Sequence, residues 1–149
     1  MIEAAADVTV PVPPGEAHDV LLDLEHAAWL PAVRGLRHVG GPARGAGARY
    51  EVEVGIAGRH LRGVLVCAEA ARPKRVVMTL EEGLDLTIVA TVRPARAGSR
   101  VELSARYSVG GGLAGLAIEK ASAPAARREV SRAAEQFAAS FDGKAAVGG

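Results

Sequence analysis

The chain has 149 residues and one cysteine, Cys67, which excludes an internal disulfide and a zinc site built on several cysteines. Its formal net charge is +1 and its basic residues are scattered, so composition gives no support for a nucleic-acid partner. No segment has the run of about 18 apolar residues that a membrane span needs. Residues 1–4 lack the basic and apolar regions of a signal peptide. We therefore expect a cytoplasmic protein without stable membrane insertion.

The first part of the chain predicts one strand and two short helices. Residues 7–12 alternate between apolar and polar positions, which is typical of a strand. Pro13 and Pro14 precede a helical pattern over residues 16–24, and a second helical piece over 25–30 ends before Pro31.

Six further strands are predicted in the middle of the chain, over residues 33–41, 49–54, 59–70, 75–80, 84–92 and 100–109. The links between them are short, so consecutive strands must be antiparallel. Most of these strands have one apolar and one charged face, which indicates a sheet with one face exposed to solvent. Residues 64–68 are apolar on both faces, so the pattern does not decide which side of the 59–70 strand faces inward.

The longest helical pattern covers residues 113–141. Apolar residues recur there at three- and four-residue steps, from Leu113 and Leu116 to Phe137 and Phe141. This stripe must pack on the sheet, which makes the fold class α+β, a single domain over residues 1–141. Pro124 lies inside the helix and predicts either a kink or a break. Residues 142–149 have no apolar periodicity and are predicted to form a loose tail.

Four stretches carry a resemblance to a known family: residues 10–17 leading into 20–24, residues 29–33, residues 47–50, and residues 98–103 followed by Tyr107 and a glycine cluster. Their order and spacing resemble the START-like (SRPBCC) superfamily, in particular its polyketide cyclase/dehydrase and lipid-transport branch. The resemblance implies a helix-grip fold, in which a curved antiparallel sheet of about seven strands wraps around a long C-terminal helix.

The same resemblance implies a cavity between sheet and helix that takes a small hydrophobic molecule, such as a lipid, quinone or polyketide. Three functions are compatible with it: a binding protein, a polyketide cyclase or dehydratase, and an accessory protein that delivers its ligand to a larger enzyme. A fold of this kind implies a pocket and not a reaction. No cofactor is predicted. The protein is expected to be either a monomer or a homodimer.

Residues 110–115 match the G-x-G-x-x-G pattern of dinucleotide sites. That site also needs a parallel strand after the helix, and only the short tail remains. We therefore expect no nucleotide cofactor. The sequence also has no paired-histidine or H-E-x-x-H spacing, so no metal is predicted.

Tyr107 and His60 are the candidate catalytic residues. The hydroxyls of Tyr107 and Tyr50 should point inward and bind either a ligand carbonyl or the backbone. His60 and Arg62 share one strand face; on the inner side they would orient a carbonyl or carboxylate, and on the outer side they would be solvated. The other histidines are expected at the surface or at helix caps.

The remaining candidate ligand contacts are mostly apolar. Trp29 is expected to plug one end of the core or to lie at the cavity mouth. Lys120 either reaches solvent or supplies a cation for an acidic group. The predicted apolar lining comprises Met78, Leu86, Ile88, Leu103 and Leu116.

Overall fold

The computed structural model describes residues 2–26, 33–56, 59–81, 85–108 and 112–141. The elements are β1 (Ile2–Val10), α1 (Pro14–Leu22), a 3-10 turn (Leu24–His26), β2 (Val33–Gly40), β3 (Arg49–Ile56), β4 (Arg59–Ala71), β5 (Arg75–Glu81), β6 (Asp85–Ala95), β7 (Gly98–Ser108) and α2 (Gly112–Ala139). The strands form one antiparallel sheet in the order β1-β7-β6-β5-β4-β3-β2. The predicted α+β helix-grip fold is confirmed.

β1 begins earlier than the sequence pattern predicted. It pairs with β7 along its whole length, from Ile2 opposite Tyr107 to Val10 opposite Ser99. Its first half contains three consecutive alanines, which favour helix in isolation, so the local pattern concealed the strand. Pairing with β7 overrides that preference. The small side chains on this edge strand also allow α2 to pack against it.

The turn between β6 and β7 explains why glycine and serine stand at positions 98 and 99. Gly98 has φ +150, and a Cβ atom there would lie 2.1 Å from the carbonyl oxygen of Val10. Only glycine permits that approach. The buried hydroxyl of Ser99 then donates a 2.7 Å hydrogen bond to the carbonyl oxygen of Val12. The end of β1 is thereby fixed beside the turn.

Alternation of burial defines an inner face of the sheet, which packs against the helices, and an outer face. On β4, Gly63, Leu65 and Cys67 are buried, whereas His60 and Arg62 are exposed. The odd-numbered residues of this part of β4 therefore face inward, which answers the question that the apolar run at 64–68 left open.

α1 packs over β5, β6 and β7, and its own residues Ala17 and Leu21 are buried in this contact. The helix ends at Leu22, two residues before the predicted end, and the 3-10 turn follows. The predicted helical piece at 25–30 lies mostly outside the described residues.

α2 is one continuous helix of 28 residues with Pro124 in its interior, so of the two predicted alternatives, a kink or a break, the break does not occur. It packs mainly against β1 and also contacts β7 and β3. At its C-terminal end the rings of Phe137 and Phe141 meet edge to face, with centroids 5.2 Å apart, and both are buried in the core. Within the described ranges, neither helix combines the length and the hydropathy needed to cross a bilayer.

Candidate ligand site between the sheet and the C-terminal helix

One row of inner-face residues crosses five neighbouring strands. Successive strand pairs align Tyr50 with Leu65, Leu65 with Leu80, Leu80 with Leu86, and Leu86 with Tyr107. All five side chains are buried. We call this set the tyrosine–leucine row. At about 4.8 Å between strands, it spans roughly 19 Å along the sheet.

The predicted apolar lining residues in the described part of the chain all share this inner face. Leu86 belongs to the row itself. Met78 and Ile88 are paired with each other one step along the strands, and Leu103 lies on the same face of β7. The structure therefore brings Met78, Leu86 and Ile88 together and places Leu103 farther along the same face.

Tyr107 is bonded to α2 through a side chain that the sequence did not single out. Its hydroxyl oxygen lies 2.5 Å from Oγ of Ser122, which in turn donates a 3.1 Å hydrogen bond to the carbonyl oxygen of Glu119. All three residues are buried. The bond joins the tyrosine–leucine row to the helix one turn after Glu119.

The described inner face of α2 changes character along its length. Its earlier part presents Glu119, Ser122 and Ala123, which are polar or small. Its later part presents Phe137, and Phe141 follows just beyond the end of the helix; both lie in the core. Small side chains over a buried sheet fill less volume than phenylalanines do.

Sequence reasoning missed Glu119 and Ser122, and it placed Lys120 on or beside the stripe. In the structure Lys120 is exposed, and Glu119 is only 3% exposed. Lys120 therefore reaches solvent, the first of its two predicted alternatives. The steps of three and four residues from Leu116 lead to Glu119, Ser122, Ala123 and Ala126, a signal that the sequence did contain.

The hydroxyl of Tyr50 is hydrogen-bonded to the backbone, which is the second of the two predicted alternatives. It donates a 3.0 Å hydrogen bond to the carbonyl oxygen of Ala43. Burial raises the pKa of this phenol, and the nearby Cys67 and Glu25 raise it further. The ring contacts the edge of His38, with centroids 5.5 Å apart. The ring of Tyr50 thus forms part of the inner face, and its hydroxyl proton is donated to the backbone.

His60 and Arg62 lie on the outer face, on the opposite side of the sheet from Tyr107. Both are exposed, and Nδ1 of His60 is 3.5 Å from a carboxylate oxygen of Glu53. Strand alternation directs both side chains to solvent, the second of their two predicted alternatives, so neither His60 nor Arg62 faces α2.

Two predicted site residues fall outside what the structure describes. Trp29 lies outside the described residues, and so does the side chain of Leu116. Their assignment to the site remains a prediction.

His18 was expected at the surface or at a cap, and that expectation is wrong. The ring is fully buried, and Nε2 lies 3.1 Å from the carbonyl oxygen of Arg75. Because a carbonyl only accepts, Nε2 is the donor in this contact. This contact joins α1 to the start of β5, and the ring lies apart from the tyrosine–leucine row.

A separate groove of about 400 Å³ lies on the outer face. Its lining includes Arg75, Val89, Ser104 and Arg106. Strand alternation directs all four side chains away from α2. This groove is distinct from the candidate site between sheet and helix.

No metal centre is found within the described ranges, where no three His, Cys, Asp or Glu residues are grouped to hold an ion. Cys67 is buried on the inner face, and burial raises the pKa of its thiol. A buried thiol of this kind is a poor nucleophile.

Comparison with known protein families settles the family. The family model described as "Polyketide cyclase / dehydrase and lipid transport" matches residues 1–142. The chain belongs to this family. A search of curated proteins found no match.

Solved structures show the same fold at low sequence identity. Protein TTHA0849 of Thermus thermophilus is 20% identical, with a TM-score of 0.77 over 92% of this chain and 94% of that one. The KanY protein is 21% identical, with a TM-score of 0.77 over 95% and 97%. A START superfamily protein from Mycobacterium smegmatis is 11% identical, with a TM-score of 0.70 over 93% and 98%. These similarities concern the fold alone.

Proposed function

We propose that this protein binds a small hydrophobic molecule, of lipid, quinone or polyketide type, between the tyrosine–leucine row and the earlier part of α2. The observation that carries the proposal is the buried Tyr107–Ser122 pair beside the buried apolar leucines of the row. Sites for small molecules combine apolar walls with a few fixed polar groups of this kind. Membership of the polyketide cyclase/dehydrase and lipid-transport family supports the same ligand class.

Two substitutions on the same strand test the location. On β6, the side chain of Leu86 lies on the inner face of the sheet, whereas that of Val89 lines the groove on the outer face. Leu86→Phe enlarges a wall of the proposed site, and Val89→Phe makes a comparable change on the other face. Titration with the fluorescent probe N-phenyl-1-naphthylamine should show affinity reduced about tenfold or more by Leu86→Phe, equivalent to about 1.4 kcal/mol.

Val89→Phe should leave the probe affinity within about twofold of the parent protein. Thermal unfolding of both variants establishes that they are folded. Loss of binding in Val89→Phe with retention in Leu86→Phe would place the ligand in the outer groove and refute the proposal.

A second candidate function, catalysis of polyketide cyclisation or dehydration, is favoured by the buried carboxyl of Glu119 one turn from Ser122. A carboxyl and a phenol held near one buried site are suitable for proton exchange with a reactive chain. Delivery of the ligand to a larger enzyme is the third possibility and uses the same site.

Tyr107→Phe distinguishes catalysis from binding, with His60→Ala as the outer-face control. Loss of turnover of a polyketide chain with retained affinity identifies an enzyme. Parallel changes, or no turnover by the parent protein, identify a carrier. His60→Ala should leave both affinity and turnover unchanged, because its side chain is exposed on the other face.

A further inference from the structure

The hydrogen-bond direction at Tyr107 is fixed by its neighbours on α2. The carbonyl oxygen of Glu119 has no proton to give, so Ser122 must donate its hydroxyl proton to it across the 3.1 Å contact. Oγ of Ser122 is then left as an acceptor. Tyr107, 2.5 Å away, must therefore donate its own proton to Ser122.

This arrangement leaves the phenolic oxygen of Tyr107 with lone pairs only. A hydroxyl has one proton and two acceptor positions, and the proton is in use. A carbonyl placed beside Tyr107 would bring two acceptors together in a buried site, which is unfavourable. A hydroxyl or N–H group placed there would donate to the free lone pair.

We propose that Ser122 is a specificity-determining residue that makes the site select ligands bearing a hydrogen-bond donor, an alcohol or phenol, over the corresponding ketones. This inference rests on the proposed function and reverses the expectation that Tyr107 binds a ligand carbonyl. Ser122 acts through Tyr107 and is a positioning residue: it sets which way the phenol donates.

A matched pair of probes tests the selectivity. 1-Tetralol and 1-tetralone share one carbon skeleton and differ in whether the oxygen can donate. Competition against N-phenyl-1-naphthylamine should show the parent protein binding the alcohol about fivefold more tightly, the ratio expected for one hydrogen bond. Ser122→Ala frees the phenolic proton for a carbonyl, so the ratio should fall to about one or reverse in favour of the ketone.

Ser122→Thr is the conservative control. In a helix the threonine hydroxyl also donates to the carbonyl three or four residues earlier, so the alcohol preference should be kept. Tyr107→Phe removes the acceptor, and the ratio should become about one. A merely structural role for Ser122 would weaken both probes together and leave their ratio unchanged.

The possible failures are distinguishable. If the parent protein binds both probes and Ser122→Ala keeps the same alcohol-to-ketone ratio, the selectivity is refuted while the proposed binding function stands. A parent preference for the ketone also refutes it. If neither tetralin derivative nor the naphthylamine binds, the proposed function fails, and the inference fails with it.

Discussion

The buried imidazole of His18 donates from Nε2 to the carbonyl oxygen of Arg75, 3.1 Å away, and so fastens α1 to the first residue of β5. The two residues are 57 positions apart in sequence. Because α1 packs over β5, β6 and β7, this contact contributes to closing the core there.

Removal of this contact should be costly. His18→Ala deletes a buried ring and its bond to Arg75, and we expect a loss of about 2–4 kcal/mol in the free energy of unfolding. His38→Ala is the matched control, because His38 Nε2 makes the same type of bond, 2.8 Å to the carbonyl oxygen of Pro42, in an exposed position. That variant should lose about 1 kcal/mol or less. Equal losses in urea denaturation would contradict a special role for His18.

Two alanines on α2 should respond differently to enlargement. Ala134 belongs to the contiguous hydrophobic core of the described residues, which does not include Ala123 beside Ser122. Ala134→Leu should therefore cost about 1–3 kcal/mol through overpacking. Ala123→Leu should cost less and should weaken binding of N-phenyl-1-naphthylamine, because the added carbon atoms enter the proposed site. The reverse pattern would mean that the space lies beneath the later part of the helix.

Pro124 should be unfavourable for α2 considered alone. Proline has no N–H to donate to the carbonyl of Lys120, four residues earlier in the helix. Pro124→Ala restores that donor, and we expect the free energy of unfolding to rise by about 1–3 kcal/mol. Urea denaturation measures the change. A decrease in stability would show that the proline suits its surroundings better than an unbroken hydrogen-bond ladder does.

Alkaline pH should destabilise the protein through Tyr50. Burial raises its pKa above the ordinary value of 10.0, so the folded protein holds this proton more tightly than the unfolded chain. Its contribution to stability is present below about pH 10 and is lost as pH rises toward the raised value. Tyr50→Phe has no proton to lose, and its stability should fall less steeply between about pH 9 and pH 11. Parallel stability curves for the two proteins would contradict this.

Much of the fold was predictable because the strands alternate strongly. Outward Arg49 and Glu51 flank inward Tyr50 on β3, and the same contrast recurs on β7 around Leu103 and Tyr107. The start of β1 was not predictable, because its alanines carry neither alternation nor strand preference and its pairing partner is about a hundred residues away.

The site was harder to predict because α2 is rich in alanine on all sides. The contrast between apolar and polar residues is then too weak to fix the rotation of the helix about its axis. An error of one position exchanges buried Glu119 for exposed Lys120. It also leaves Leu113, which is 86% exposed, on the predicted apolar stripe. His18 was missed for another reason: its partner is a backbone carbonyl, which no side-chain motif reveals. The face of His60 was left undecided because residues 64–68 of β4 are apolar on both sides.

Contacts between a bound probe and methyl groups test the proposed site most directly. With leucine and valine methyls labelled, intermolecular NOEs from N-phenyl-1-naphthylamine should reach Leu80 and Leu86 of the tyrosine–leucine row. None should reach Val77 and Val89, which lie on the outer face of the same two strands. Contacts to Val77 and Val89 in place of the leucines would contradict a ligand site between the sheet and the C-terminal helix.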